Sequence, residues 1–121
     1  MKKLIIVLVL LLAATALFGQ INLGSFPAGK WLDPNYDAVW ELSATNIRIL
    51  SSTDGSVLWD FTGKTIQDFK GVLDGGVPAI TFSCTEAERT YKFKPNPPST
   101  DVTLTIDRAD KPTYSIRMKK Q

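Results

Sequence analysis

The chain has 121 residues, of which 44% are hydrophobic and 21% charged, and it contains one cysteine and no histidine. This length fits one domain with enough apolar side chains for a packed core, so a multidomain enzyme is excluded. The lack of histidine in the sequence excludes Ser-His-Asp and Cys-His catalysis and every His-ligated metal site. A single cysteine excludes an intrachain disulfide and a multi-cysteine zinc cluster.

Residues 1–19 have the organisation of an export signal. Two lysines precede an unbroken apolar run, and Ala14-Thr15-Ala16 supplies a small-x-small cleavage site. The apolar stretch over residues 4–18 has 15 residues, whereas a membrane-spanning helix needs ~20. We therefore predict a signal peptide that is cleaved after Ala16 or Gly19, delivery to the periplasm or the outside of the cell, and no stable membrane insertion after cleavage.

Residues 20–121 are predicted to form a single domain. Without the two lysines of the signal, this part has twelve basic and twelve acidic residues, so nucleic acid is not an expected partner. Residues 33–88 carry nine acids and three bases, and residues 89–121 carry eight bases and three acids. Two halves of one folded unit that attract each other explain this split better than a basic binding face, which is the alternative.

Beyond residue 20 the sequence repeats short segments in which apolar and polar side chains alternate, as expected for half-buried strands. Residues 65–73 fit either a strand or a short helical turn, and we favour the strand. In chain order, the predicted strands cover residues 39–44, 47–49, 57–62, 65–73, 79–85, 90–94, 102–107 and 114–119. They are separated by turns or loops such as Thr53-Asp54-Gly55-Ser56, Asp74-Gly75-Gly76, Pro95-Asn96-Pro97-Pro98 and Asp110-Lys111-Pro112.

About eight or nine short strands joined by tight turns indicate an antiparallel meander. An open meander of this length has two exposed edges, so closure into a barrel is expected. The large apolar side chains point inward and the Thr, Lys, Ser and Asp side chains point to water, which is the reverse of a membrane barrel. We predict an all-β fold, a small soluble antiparallel up-and-down β-barrel of about eight strands.

One segment resembles a known family. Phe26-Pro27-Ala28-Gly29-Lys30-Trp31 resembles the G-x-W entry to the first strand of lipocalins and related calycins. The course of residues 24–119 also resembles the small lipocalin-like domains of bacterial exported proteins, with matching pieces at Trp40-Glu41-Leu42, Asp54-Gly55, Tyr91-Lys92-Phe93 and Leu104-Thr105-Ile106. The resemblance implies that Trp31 closes one end of the barrel and that Arg108 or Arg117 stacks on its ring.

The remaining chemistry-bearing side chains are better explained as structural. Cys84 alternates with apolar neighbours, which predicts a buried and inert thiol. Asp33, Asp37 and Glu41 lie close in sequence, as do Glu86 and Glu88, but Asp33-Pro34-Asn35 and Thr85-Glu86-Ala87-Glu88 indicate turns rather than a catalytic carboxylate pair. We predict no catalytic residue, no metal and no cofactor.

Two function classes follow from the inward-facing side chains. Seven large rings on the inward faces would fill the interior of an eight-stranded barrel, which favours an exported, non-enzymatic binding or scaffold module that contacts a protein partner through its loops. The alternative, implied by the resemblance, is a lipocalin-like carrier of a small apolar ligand in the barrel mouth. The candidate ligand-lining residues are Trp40, Trp59, Tyr91 and Tyr114.

Overall fold

The structure, a computed structural model, describes residues 21–121; the predicted signal peptide and its cleavage sites lie outside the described residues. This part of the chain contains nine β-strands and no helix, which confirms the all-β prediction, and residues 66–74 form a strand as favoured. The strands are β1 (Gly29–Asp33), β2 (Ala38–Leu42), β3 (Ile47–Ser51), β4 (Val57–Asp60), β5 (Ile66–Asp74), β6 (Val77–Cys84), β7 (Arg89–Pro95), β8 (Val102–Arg108) and β9 (Lys111–Lys120).

All nine strands belong to one antiparallel sheet in the order β4-β3-β2-β1-β9-β8-β7-β6-β5. Strands β1 to β4 form one meander and β5 to β9 form a second. The first and last strands join the two meanders, with Trp31 opposite Lys120 and Leu32 opposite Lys119. The sheet therefore pairs the two ends of the described chain and curls into a half-barrel.

The strand count explains why the sheet has two edges, where the sequence predicts a closed barrel of about eight strands. Because neighbouring strands are antiparallel and their number is odd, the edge strands β4 and β5 run in the same direction. Residues 61–65 connect them, and this is far shorter than the dozen or more residues of a parallel crossover. Within residues 21–121, no ladder joins β4 to β5.

Side chains hold the two edges to a common core. Phe61, just after β4, is buried, and its ring centroid lies 5.5 Å from that of Phe82 on β6 and 5.3 Å from that of Tyr91 on β7. Phe69 on β5 stacks on Phe82 at 5.7 Å. Aromatic pairs at such separations add stability beyond the area they bury. The interior of the curled sheet is thus filled by rings from both meanders.

Candidate functional site

The four predicted ligand-lining residues divide into two pairs. Trp40 and Tyr91 belong to the buried core, while Trp59 and Tyr114 are partly buried against it. Trp40 and Tyr114 line one cleft at an end of the sheet, whereas Trp59 and Tyr91 are not part of its lining. The predicted set therefore does not form one site, although two of its members share a surface.

Trp59 lies on the edge strand β4. Its ring is 6.1 Å from Phe61, and the Lys64 ammonium lies 4.7 Å from its centroid. The indole Nε1 is buried and has no hydrogen-bond partner among residues 21–121. These contacts indicate a structural role for Trp59, whose ring packs against the core beside the edge strand β4.

Trp31 is buried, and its Nε1 donates a hydrogen bond to the Thr100 carbonyl at 2.8 Å. The cation beside its ring is Lys120, with Nζ 5.8 Å from the centroid. Arg108 instead lies over the Tyr114 ring, and Arg117 donates to the Asp101 carboxylate at 2.8 Å. Lys120 had no signal in the sequence, since only the β1–β9 pairing brings it next to Trp31.

The spacing of Gly29 and Trp31 has a packing reason. A Cβ at Gly29 would lie 3.0 Å from Lys120 Cε and 3.4 Å from the Trp31 ring. Gly29 also has a φ of 148°, a conformation that other residues rarely adopt. Glycine therefore lets the lysine stem and the indole approach the start of β1.

We define the open-end cleft as the depression of about 400 Å³ where the β1–β2 turn, β4 and the β8–β9 turn meet. Much of its lining is apolar, and large parts of the Tyr36 and Leu58 side chains at its border face solvent. The apolar lining consists of Tyr36, Ala38, Trp40, Ile49, Leu58 and Ile106. The same cleft holds the polar side chains of two clusters described next.

The first polar cluster is centred on Asp33, which is 2% exposed. The Tyr114 hydroxyl donates to this carboxylate, with Oη 2.9 Å from Oδ2, and the Asn35 backbone N–H donates to Oδ1 at 2.9 Å. Asn35 Nδ2 donates back to the Tyr114 hydroxyl at 2.9 Å. Burial, together with the neighbouring Asp33 carboxylate, raises the pKa of Tyr114 and outweighs the lowering effect of Asn35. The hydroxyl is therefore satisfied from within the chain, and the sequence reading of Asp33 as a turn residue missed its burial.

The second polar cluster consists of three cations on neighbouring strands. Arg89 begins β7, Arg108 ends β8 and Lys111 begins β9, and the register places Arg89 opposite Arg108 and Arg108 opposite Lys111. We call this set the cation row. Arg108 donates through Nε and Nη2 to the Pro112 carbonyl at 3.0 and 2.6 Å. All three cations line the open-end cleft.

The charge split of the sequence has two structural outcomes. Lys92 and Lys94 both pair with Asp74, so part of the basic half does neutralise part of the acidic half. The cation row takes no part in this, because none of its members forms an ion pair within the described part of the chain. The sequence missed this cluster, since only the strand register shows which bases are neighbours.

A second cleft of about 550 Å³ lies between residues 22–27 and strands β5 and β6. Its lining includes Leu23, Phe26, Phe69 and Ile80, and Lys70 is its one charged side chain among the described residues. Ligand sites combine apolar walls with a few converging polar groups. Both clefts have apolar walls, but the open-end cleft fits this description better because Asp33, the Tyr114 hydroxyl and the cation row all line it.

The remaining candidates have structural surroundings. Cys84 is buried, and burial raises the pKa of its thiol above the usual range. Glu86 lies in the turn after β6 and accepts hydrogen bonds from the Thr65 N–H at 2.7 Å and from its hydroxyl at 2.9 Å. Across residues 21–121, no three His, Cys, Asp or Glu side chains lie together as metal ligands would.

Comparison with known proteins returns no match from any family model, any curated protein or any solved structure. The described residues also contain no helix that is long and apolar enough to span a bilayer.

Proposed function

We propose that this is an exported, non-enzymatic binding protein that holds a protein partner with the loops around the open-end cleft. The observation that carries the proposal is the contrast between a filled interior and an apolar, cation-bordered depression at one end. Phe82, Phe93 and Trp40 are almost fully buried, which supports a rigid scaffold rather than a hollow container.

The border of the open-end cleft supports a contact surface. Tyr36 is 62% exposed and Leu58 is 56% exposed, and both line the cleft together with two arginines. Tyrosine and arginine are enriched among the residues that dominate binding energy at protein interfaces. Exposed apolar side chains that lie together on a surface are typical of a site that binds another protein.

The second candidate is a lipocalin-like carrier of a small apolar ligand. It is favoured by the volume of the open-end cleft, about 400 Å³, which falls within the range of roughly 300–1,000 Å³ of small-molecule sites. In this proposal Trp40 and Tyr114 border the ligand, and the filled interior remains structural.

Site-specific photo-crosslinking in the source cells tests the partner proposal. A photoreactive residue at Tyr36 is expected to give a discrete adduct with a partner protein. The matched control is Leu73, which is 76% exposed on β5 and is not part of the open-end cleft. Equal adducts at both positions, or none at Tyr36, would contradict a partner site at the cleft.

Export is tested separately. The lysines, apolar run and small-x-small site of the signal predict that the mature chain starts between residues 17 and 20. N-terminal sequencing of protein from the exported fraction measures this directly. An intact Met1 in the membrane fraction would refute both cleavage and release.

A further inference from the structure

We propose that the open-end cleft binds a single-chain amphiphile with an anionic headgroup, such as a medium-chain carboxylate, and that its headgroup binds at the cation row. This deepens the carrier candidate by naming the chemistry of the ligand. It does not depend on the protein partner.

The first step is the placement of like charges. Arg89, Arg108 and Lys111 are direct cross-strand neighbours on three adjacent strands. Like charges directly opposite one another destabilise a sheet, so this arrangement has a cost that an anion between them would remove. Charge-assisted hydrogen bonds from guanidinium and ammonium groups to a carboxylate are among the strongest in proteins.

The second step is that residues 21–121 do not place an acidic side chain in ion-pair contact with the row. Glu88 and Asp110 lie on the adjoining turns, yet neither carboxylate is within ion-pair distance of the row in the described residues. Asp33, the carboxylate within the cleft, already accepts hydrogen bonds from Tyr114 and Asn35. The positive charges of the row therefore border the cleft without an acidic partner among the described residues.

The third step identifies the rest of the ligand. Next to the row, the cleft is lined by Trp40, Ile49, Leu58 and Ile106. An inorganic anion would leave these side chains in water, whereas an apolar chain would cover them and gain the free energy of their burial. The concave shape and the volume of about 400 Å³ fit one molecule and not a lipid surface.

Calorimetric titration with decanoate, below its micellar concentration, tests the inference. Tryptophan fluorescence is a second readout, because Trp40 lines the cleft. We expect saturable one-to-one binding and weak or no binding of sodium acetate and of decanol. Losing one charged hydrogen bond at the headgroup should weaken binding by about tenfold, so this is the expected effect of Lys111→Gln or Arg89→Gln.

Lys119→Gln is the matched control, because it removes the same charge from the same strand, outside the cleft lining. Its affinity for decanoate is expected to stay within about twofold of the unchanged protein. An equal loss of decanoate affinity in Lys119→Gln and Lys111→Gln would show that only the net charge of the protein matters. It would overturn the proposed headgroup site at the cation row.

The other outcomes also separate the alternatives. Decanol binding as tightly as decanoate would overturn the anionic headgroup and leave the apolar carrier standing. Acetate binding as tightly as decanoate would show that the apolar chain adds nothing and would overturn the proposal of an amphiphilic ligand. Lys111-dependent binding to phosphatidylglycerol vesicles without decanoate binding would overturn the single-molecule ligand in favour of a membrane surface. Failure of every ligand would overturn this inference and the carrier but not the crosslinking result at Tyr36.

Discussion

The filled interior and the open-end cleft are built from the same residue types but differ in what surrounds them. In the interior, the rings of Phe61, Phe82 and Tyr91 contact one another at centroid distances of 5.3–5.5 Å. At the open end, Tyr36 touches the edge of Tyr114 at 5.3 Å but remains largely exposed. Aromatic side chains thus stabilise the fold where two meanders enclose them, and they remain available for contact where turns leave one side uncovered.

The polar groups show the same contrast. Trp31 Nε1, at the far end of the sheet, has a backbone acceptor at Thr100. At the open end, the Tyr114 hydroxyl donates a hydrogen bond to Asp33. The cation row, in contrast, forms no ion pair with an acidic side chain of the described residues. Removing a buried group should therefore cost stability, whereas removing an exposed group at the border of the cleft should cost little.

Trp31→Ala is expected to produce the largest loss. Removal of a fully buried indole should lower the free energy of unfolding by ~3–5 kcal/mol, a large part of the ~5–15 kcal/mol that stabilises a domain. Urea unfolding followed by circular dichroism measures the change. A loss under roughly 1 kcal/mol would place Trp31 outside the structural core.

Asp33→Ala is expected to cost less, because it removes the acceptor of the partly buried Tyr114 hydroxyl and of the Asn35 backbone N–H. The Tyr114 hydroxyl would lose its carboxylate partner, a penalty of ~1–3 kcal/mol. The control is Asp110→Ala in the β8–β9 turn, which should change stability by less than ~0.5 kcal/mol. If both variants unfold at the same urea concentration, the cluster around Asp33 does not stabilise the open end.

Tyr91→Phe should change the response to alkaline pH. Burial raises the pKa of Tyr91 to about 12, against the lowering influence of Arg89, whereas the ordinary value is 10.0. Because the unfolded chain loses this proton first, the stabilisation is complete below pH 10 and is lost as the pH rises to about 12. Unfolding midpoints across this range should fall less steeply in Tyr91→Phe than in Tyr36→Phe. Parallel curves for the two variants would contradict the raised pKa of Tyr91 as a source of the alkaline loss of stability.

Leu58→Ser is expected to have the smallest effect on stability. The side chain is 56% exposed on the edge strand β4, so the free energy of unfolding should change by less than ~0.5 kcal/mol. The same variant should weaken decanoate binding, since Leu58 lines the cleft. A marked loss of stability would show that the border belongs to the core after all.

The alternation of apolar and polar residues made most of the strands predictable. Val57, for example, begins β4 as expected after the Asp54-Gly55 turn, and Phe82 and Phe93 are buried as their spacing indicates. Strand β5 was ambiguous in sequence because Asp68 interrupts its alternation. The structure shows the reason: Asp68 has a φ of 56° at a shift in the β5–β6 register, and such bulges break the period of two.

The candidate site was only partly predictable. Trp40 and Tyr114 follow from alternation, which is a local property of each strand. Lys120 beside Trp31 and the grouping of Arg89 with Lys111 depend on which strands are neighbours. Such pairs are distant in sequence, so no local pattern contains them.

By itself, the sequence determined the all-β class, the short strands and the inward faces, because side-chain periodicity and turn residues act within a few positions of the chain. Only the tertiary structure decided the pairing of β1 with β9, the odd strand count that leaves β4 and β5 as edges, and the cation row. These features depend on strand order and register, which the whole sheet sets when it buries one shared core.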